Sequence, residues 1–242
     1  MIKSLSIIFP VYNEELRLKS SFNQIHTFIK KKKKFNIEII FVDDGSNDNS
    51  YNLIKSFIKK FKKNSRIKIK VLKSHKNLGK GHALKLGVKE AKYNWILTTD
   101  IDMSVSLYQL PIWLKKRFIE KKFNVYFASR THEKSLVKKD FFRNVLGDLM
   151  RFFVSAILNI KIKDTQCGYK LYKKKVAKLI FSKLKDCGYN HDLEIVLLLR
   201  QKNIQIKELP VKWIHKGDSK LNIYLDPIKM FFGILLIKFR YF

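Results

Sequence analysis

The chain has 242 residues, with 51 Lys and Arg against 20 Asp and Glu, a formal net charge of +31. That length accommodates one large domain with a sizeable core, and the charge points to polyanions: nucleic acid, anionic lipid or phosphorylated substrates. Two cysteines, Cys167 and Cys187, form neither a disulfide framework nor a metal-ligand spacing, and no apolar run reaches the ~20 residues of a spanning helix.

The chain opens almost directly on a strand, Leu5 to Val11, with no signal-peptide pattern. Glu14 to about Lys33 predicts a helix, with Leu18, Phe22, Ile25 and Ile29 on one face and a lysine run at its end. Ile37 to Val42 reads as a second strand, Asp48 to Lys63 as a second amphipathic helix, and Ile67 to Leu72 as a third strand. Gly79 to Ala91 reads as a helix and Trp95 to Thr99 as a fourth strand. Strands alternating with helices predict a parallel sheet with right-handed crossovers. Beyond Asp102 the pattern predicts a helix over Leu107 to Lys121, a strand over Val125 to Ala128 and a long helix over Asp140 to Leu158. Shorter helices follow near Lys174 to Phe181 and from Asp192 to Lys202, then a strand from Ile204 to Ile214. The expected class is α/β, a mostly parallel sheet flanked by helices, as one domain over 1–222. The tail mixes apolar residues with Lys229, Lys238 and Arg240, so 223–242 is expected to be an amphipathic, membrane-proximal helical segment.

Two acidic motifs stand at predicted strand ends: Asp43-Asp44-Gly45-Ser46 after the second strand and Asp100-Ile101-Asp102 after the fourth. Open α/β sheets bind ligands at the carboxyl ends of their strands. A carboxylate there can accept the imide N–H of a pyrimidine or the equivalent edge of guanine. Two carboxylates one residue apart on extended backbone point to the same side and can hold Mg²⁺ or Mn²⁺ against a diphosphate. The segment Pro10-Val11-Tyr12-Asn13-Glu14 ends the first strand, where backbone can approach a flat base and Glu14 can accept from a ribose hydroxyl. Asn77-Leu78-Gly79-Lys80-Gly81 opens a helix, whose N-terminus favours anions, and Lys80 adds a charge for a diphosphate. It is not a Walker loop. Downstream, Arg130, Arg143, Arg151, Lys170 and Lys220 suggest together a pocket for phosphate.

In this order, Phe9-Pro10-Val11-Tyr12-Asn13-Glu14-Glu15, Val42-Asp43-Asp44-Gly45-Ser46, Asn77-Leu78-Gly79-Lys80-Gly81 and Asp100-Ile101-Asp102 resemble the family 2 glycosyltransferases of GT-A fold. Asp164-Thr165-Gln166-Cys167-Gly168-Tyr169-Lys170-Leu171 and Ser219-Lys220-Leu221 resemble the dolichyl-phosphate (polyprenyl-phosphate) β-glucosyltransferase branch, related to the mannose synthases. The resemblance implies a Rossmann-like GT-A sheet. It implies a sugar-nucleotide site of Pro10, Tyr12, Glu14, Val42, Asp43, Lys80 and Asp100, and a divalent metal on Asp100 and Asp102. It implies an acceptor-phosphate site of Arg130, Arg143, Lys170 and Lys220, with Asp102, Asp192 and Arg130 as the catalytic residues. Asp192 and Glu194 match an acidic motif placed near the sugar. Two positions depart from the mannose synthases: Ser104 stands for a Gln after the second metal Asp, and Ile214 for an Arg. The eukaryotic glucosyltransferases carry an N-terminal membrane anchor, for which this sequence has no counterpart, so peripheral attachment at the cytoplasmic face of a membrane is expected.

The implied reaction moves glucose from UDP-glucose to a polyprenyl phosphate, inverting at the anomeric carbon. The second pKa of such a phosphate is roughly 6, so it needs no strong general base. The alternatives are a family 2 transferase using GDP-mannose or another sugar nucleotide, and a polyanion-binding protein. Nucleic acid is not the expected partner, because no aromatic-basic RNA motif or helix-turn-helix pattern accompanies the charge.

Overall fold

The structure, a computed structural model, describes residues 2–31, 35–61, 66–138, 153–188, 190–216 and 225–242. Arg143, Arg151, Lys220, the Ser219-Lys220-Leu221 segment and most of the expected helix over 140–158 lie outside them; 153–158 are helical.

The first half follows the predicted alternation: β1 (Ser4–Val11), α1 (Glu15–Lys31), β2 (Asn36–Asp43), α2 (Ser50–Lys60), β3 (Ile67–Lys73), α3 (Lys80–Glu90) and β4 (Trp95–Thr98). The second half contains α4 (Gln109–Lys115), β5 (Val125–Ser129), β6 (Leu136–Lys138), β7 (Lys170–Lys173), α5 (Lys174–Lys183), α6 (His191–Gln201), β8 (Ile206–Pro210), β9 (Lys212–Ile214) and α7 (Leu225–Tyr241). Seven strands form one sheet in the order β3-β2-β1-β4-β7-β5-β8. The β1, β2, β3 and β4 contacts are parallel, as is β5 with β8, whereas β7 runs antiparallel to both β4 and β5.

Side chains alternate across the strands and build a core on each face. Ile7, Phe9, Ile39 and Phe41 face α1, α2 and α4. Ile8, Ile40, Val42 and Ile96 face α3, α5, α6 and α7. The continuous apolar runs of β1 and β2 thus belong to strands covered on both sides.

Three expectations differ in the second half. Lys170–Lys173 is a strand, where no element was expected before the helix near Lys174; four residues with a lysine at each end carry too little alternation to be read. The expected strand over 204–214 breaks at Val211 into β8 and β9, and β9 pairs with β6 in a separate two-stranded sheet. Pro210 closes β8 at the sheet edge, where a missing N–H is tolerated; its carbonyl accepts Trp113 Nε1–H at 2.8 Å. The expected helix over 107–121 is only the seven residues of α4, ended by Arg117 at φ 54°.

In α7, Ile234 and Ile237 are buried against the sheet-facing helices, while Phe232, Leu236, Phe239 and Phe242 are exposed. Among the described residues no helix is long and apolar enough to cross a membrane.

Candidate active site

The chemistry-bearing residues collect at the carboxyl ends of β1, β2 and β4. Register sets Pro10 beside Val42 and Val11 beside Asp43. The two loops that follow are locked together. Asn13, at φ 52°, accepts Asn47 N–H on Oδ1 at 2.8 Å and donates its own N–H to Ser46 Oγ at 2.9 Å. Glu14 N–H reaches Ser50 Oγ at 2.7 Å, and Glu15 N–H reaches Asp48 Oδ2 at 3.1 Å. Glu14 carries an ion pair with Arg17 at 3.3 Å. Val42 is fully buried with its side chain in the core beneath α3, so only its main chain faces the strand ends.

The neighbours Asp43 and Asp44 are both buried but do different work. Asp44 accepts Gly79 N–H at 2.7 Å and Leu78 N–H at 3.2 Å, fixing the loop that begins α3. Asp43 accepts Ser46 N–H on Oδ2 at a long 3.4 Å, and its Oδ1 is buried with no hydrogen-bond partner in the structure. A buried acceptor left unmade costs about 1–3 kcal/mol, more when charged.

The sequence reading expected the glycine-bearing loop before α3 to favour an anion, and three of its amides are spent within the protein. Leu78 and Gly79 N–H go to Asp44, and Gly81 N–H goes to Cys187 O at 2.9 Å. What the loop presents is Lys80, whose ammonium lies 2.6 Å from Asp100 Oδ1. Partial burial opposes the charge of Lys80, but Asp100, Asp192 and Asp102 outweigh it and raise its pKa above the lysine range. Pro10, Lys80, Thr98, Thr99, Asp100, Gly168 and Asp192 line a tight cleft that is closed to water here.

Asp100 and Asp102 are not on extended backbone. β4 ends at Thr98, and residues 101–102 form a turn that Met103 closes at φ 57°. Asp102 is held by Ser104, whose N–H and Oγ reach its two carboxylate oxygens at 2.8 and 2.9 Å. Asp100 packs against Gly168, where a Cβ would stand 2.3 Å from Asp100 Oδ2. Lys80 pairs with Asp100 and is drawn further by the charges of Asp102 and Asp192, while Lys170 also pairs with Asp192; carboxylate oxygens such as those of Asp100 and Asp102 suit a hard cation. Among the described residues no group of three or more His, Cys, Asp and Glu is arranged to hold a metal alone.

Asp192 opens α6 and is 5% exposed. Lys170 Nζ donates to its Oδ1, and His191 Nε2 lies 3.3 Å from the same oxygen. Burial disfavours its charge, yet His191, Lys170 and Lys80 outweigh it and hold the carboxyl at about 2. Burial pushes the His191 imidazole down. The expectation that Lys170 faces an acceptor phosphate meets a different placement: it is 2% exposed, paired with Asp192, and lies over the Phe127 ring at 4.9 Å.

Arg130 follows β5 as expected and forks onto Asp164, with Nε and Nη2 each 2.8 Å from a carboxylate oxygen and its backbone N–H also at 2.8 Å. Trp213 lies beside the guanidinium at 5.8 Å. Burial opposes both charges, but the pair outweighs it, keeping Asp164 below the usual carboxylate range and Arg130 above its own. Burial likewise drives the Cys167 thiol up to about 12, which leaves it no nucleophile at neutral pH.

Glu194 is buried away from the cleft, tied to Lys185 and Asp186 amides and to Tyr241, so it is not beside a sugar. A groove of about 1150 Å³ is also remote from this chemistry. It lies between α1, α2 and β3 and is walled by Phe22, Phe35, Phe57 and Phe61. Sequence reasoning named Ser104 and Gly168 but missed their contacts with Asp102 and Asp100, and it missed the separate roles of Asp43 and Asp44, since all depend on which backbone comes near which carboxylate.

Residues 6–181 match the model of the family described as Glycosyl transferase family 2. The chain belongs to that family. It is 35% identical to the dolichyl-phosphate β-glucosyltransferase of Dictyostelium discoideum, over 98% of this chain and 74% of that protein. The Saccharomyces cerevisiae protein of the same name is 30% identical, over 98% and 75%. Among solved structures, glucosyl-3-phosphoglycerate synthase from Mycobacterium tuberculosis, in complex with Mn²⁺, UDP and glucosyl-3-phosphoglycerate, superposes with a TM-score of 0.69 at 14% identity. That match covers 98% of this chain and 80% of that one. The GT-A architecture read from the motifs is thereby borne out, and this family 2 chain is a glycosyltransferase similar to the dolichyl-phosphate β-glucosyltransferases.

Proposed function

We propose that the chain transfers glucose from UDP-glucose to a polyprenyl phosphate of the dolichyl type, with inversion at the anomeric carbon, at a membrane surface. The observation that carries this is Asp43 Oδ1, a buried carboxylate oxygen without a partner at the carboxyl end of β2. An imide N–H of uracil is the donor it lacks. The names of the curated relatives supply the acceptor class and the sugar, and the UDP bound in the mycobacterial neighbour supplies a precedent for the base.

Asp100 and Asp102 would hold a divalent metal, Mg²⁺ or Mn²⁺, with the diphosphate of the donor completing its ligands. Bound there, the metal supplies neutralisation of the charge that develops on the leaving diphosphate. Lys80, already drawn among these carboxylates, is placed to exchange one of them for a phosphate oxygen. Arg130, held rigid by Asp164, orients the acceptor phosphate; Arg143 and Lys220 are proposed to join it. Tyr12, Pro10 and Glu14 border the nucleoside.

The protonation states suit an acceptor that needs no base. A carboxyl held at about 2 is a poor proton acceptor. Asp192 therefore orients a sugar hydroxyl or the acceptor, and the phosphate attacks with its own charge. Orientation and charge neutralisation carry the rate.

The polyprenyl tail stays in the bilayer, so the phosphate must be met at its surface. Phe232, Leu236, Phe239 and Phe242 recur at helical spacing and are exposed. Lys229, Lys238 and Arg240 accompany them, each basic residue near anionic lipid contributing ~1 kcal/mol. Residues 223–242 are thus the proposed attachment segment, peripheral on a cytoplasmic leaflet.

The deciding experiment incubates purified protein with metal, polyprenyl phosphate in vesicles and labelled UDP-glucose or GDP-mannose, then partitions the products into organic solvent. Label from UDP-glucose in the lipid phase is expected. Label from GDP-mannose alone overturns the donor, and no lipid-borne label from either overturns the reaction.

A further inference from the structure

The first turn of α6 has two faces. His191 and Asp192 point toward Lys170 and Lys80, while Asn190 and Glu194 point toward α7. Glu194 is fully buried, and both its oxygens are taken. Oε2 accepts the N–H groups of Lys185 and Asp186, at 3.1 and 2.5 Å. Oε1 accepts the Tyr241 hydroxyl and lies 3.5 Å from Arg240 Nη1.

The segment that Glu194 holds on one side holds the donor loop on the other. Cys187 O accepts Gly81 N–H at 2.9 Å, and Leu184 O accepts Lys85 Nζ–H at 2.9 Å. Gly81 adjoins Lys80, the residue whose ammonium lies on Asp100. A second tie links α7 to the same turn: Asn190 Nδ2 donates to Met230 O at 3.3 Å. A Cβ at Gly233 would stand 1.8 Å from that nitrogen.

We infer that Glu194 is a positioning residue for donor binding, coupling the seating of the C-terminal helix to the 184–188 loop that fixes Lys80. It touches neither sugar nor nucleotide. Its carboxylate holds the last turn of α7 and the two amides of that loop at once, so displacing α7 frees the loop. The inference rests on the reading above in taking UDP as the nucleotide to be bound.

The test uses the full chain with Tyr241→Phe, which deletes one hydrogen bond, and Glu194→Gln, whose amide cannot accept from two backbone N–H groups and the phenol together. UDP binding is measured by calorimetry in Mn²⁺, transfer by the labelled-donor assay, and amide hydrogen exchange on nucleotide-free protein. Tyr241→Phe is expected to weaken UDP about tenfold, the scale of one hydrogen bond to a charged group. It should raise donor KM equally and leave kcat at saturating donor within about twofold. A purely structural role would lower thermal stability and the active fraction without moving donor KM. Exchange should quicken at 185–188 and at 78–81 in both variants. Folded Tyr241→Phe protein with wild-type UDP affinity and wild-type exchange at 78–81 overturns the coupling. Wild type that binds no UDP overturns the donor reading instead. Exchange at 78–81 then decides the coupling alone, quickening supporting it and unchanged rates overturning it.

Discussion

Replacing Lys170 by Met separates the two roles this residue has been given. On the structure, its ammonium is buried, donates to Asp192 and lies over Phe127. Removing one partner of a buried ion pair costs about 3–5 kcal/mol, because the other charge is left behind. Here Lys80 and His191 also face Asp192, so the lower end of that range is expected. For a chain of this size about 3 kcal/mol lowers Tm by roughly 6–12 °C. Asp192→Asn leaves the buried Lys170 ammonium without its counter-charge but keeps one acceptor oxygen for it, and should also cost about 3 kcal/mol. In the double variant neither charge is left unpaired by the other, so its loss should fall short of the sum by about 1.5 kcal/mol or more. Urea unfolding of the four proteins measures this cycle. Additivity within about 0.5 kcal/mol, or a Lys170→Met protein of wild-type stability with a raised KM for polyprenyl phosphate, would refute the buried-pair reasoning and return Lys170 to the acceptor.

The acid limb of stability follows the same pair. The folded Asp192 carboxyl, at about 2, lies below its unfolded value near 3.9, so its contribution is complete above about pH 4 and is lost as pH falls toward 2. Asp164, shifted the same way by Arg130, adds to that loss. Urea midpoints for wild type and Asp192→Asn should therefore converge between about pH 4 and pH 2; parallel curves across that window would contradict it. In the transfer assay at saturating metal, Asp102→Asn is expected to abolish lipid-linked product while Asp192→Asn keeps a measurable fraction, and equal activity of Asp102→Asn and wild type would remove the metal from the proposal. Gly168→Ala puts a methyl group where Asp100 Oδ2 now lies. The half-exposed carboxylate can swing into water, so little stability should be lost while the metal needed for half-maximal transfer rises at least about tenfold. A wild-type metal requirement would show that the placement of Asp100 does not matter.

The first half of the fold was legible because each of its elements carries a strong period. β1 and β2 are apolar runs buried on both faces, and α1 repeats Leu18, Ile25 and Ile29 on its inner side. Residues 101–216 were harder because their strands are short and their neighbours distant in sequence. Lys170–Lys173 pairs with β4 and β5 across gaps that no local pattern records. β6 and β9 are three residues each and gain strand character from one another and, for β9, from a bridge to Val105. In the tail, α7 has one face against the core and one exposed, and the lysines and aromatics it mixes carry no single cue to that division.

The site divides along the same line. Which residue types stand at the strand ends was readable, since carboxylates after two buried strands need a partner. Which carboxylate is spoken for was not. Asp43 and Asp44 are adjacent and equally acidic, yet Asp44 is used up by two amides of the α3 loop and Asp43 keeps one oxygen unpaired. Lys170 and Arg130 are both basic and both close to the cleft, yet one is sealed under Phe127 against Asp192 and the other braced by Asp164 with Trp213 beside it. Burial makes the difference in each case. A charge taken out of water is held by a fixed partner or awaits one that arrives with a ligand. Asp164 and Glu194 are therefore framework, the first fixing Arg130 and the second the loop behind Lys80. Asp43 keeps Oδ1 buried without a donor among the described residues, the place the proposed uracil imide would fill.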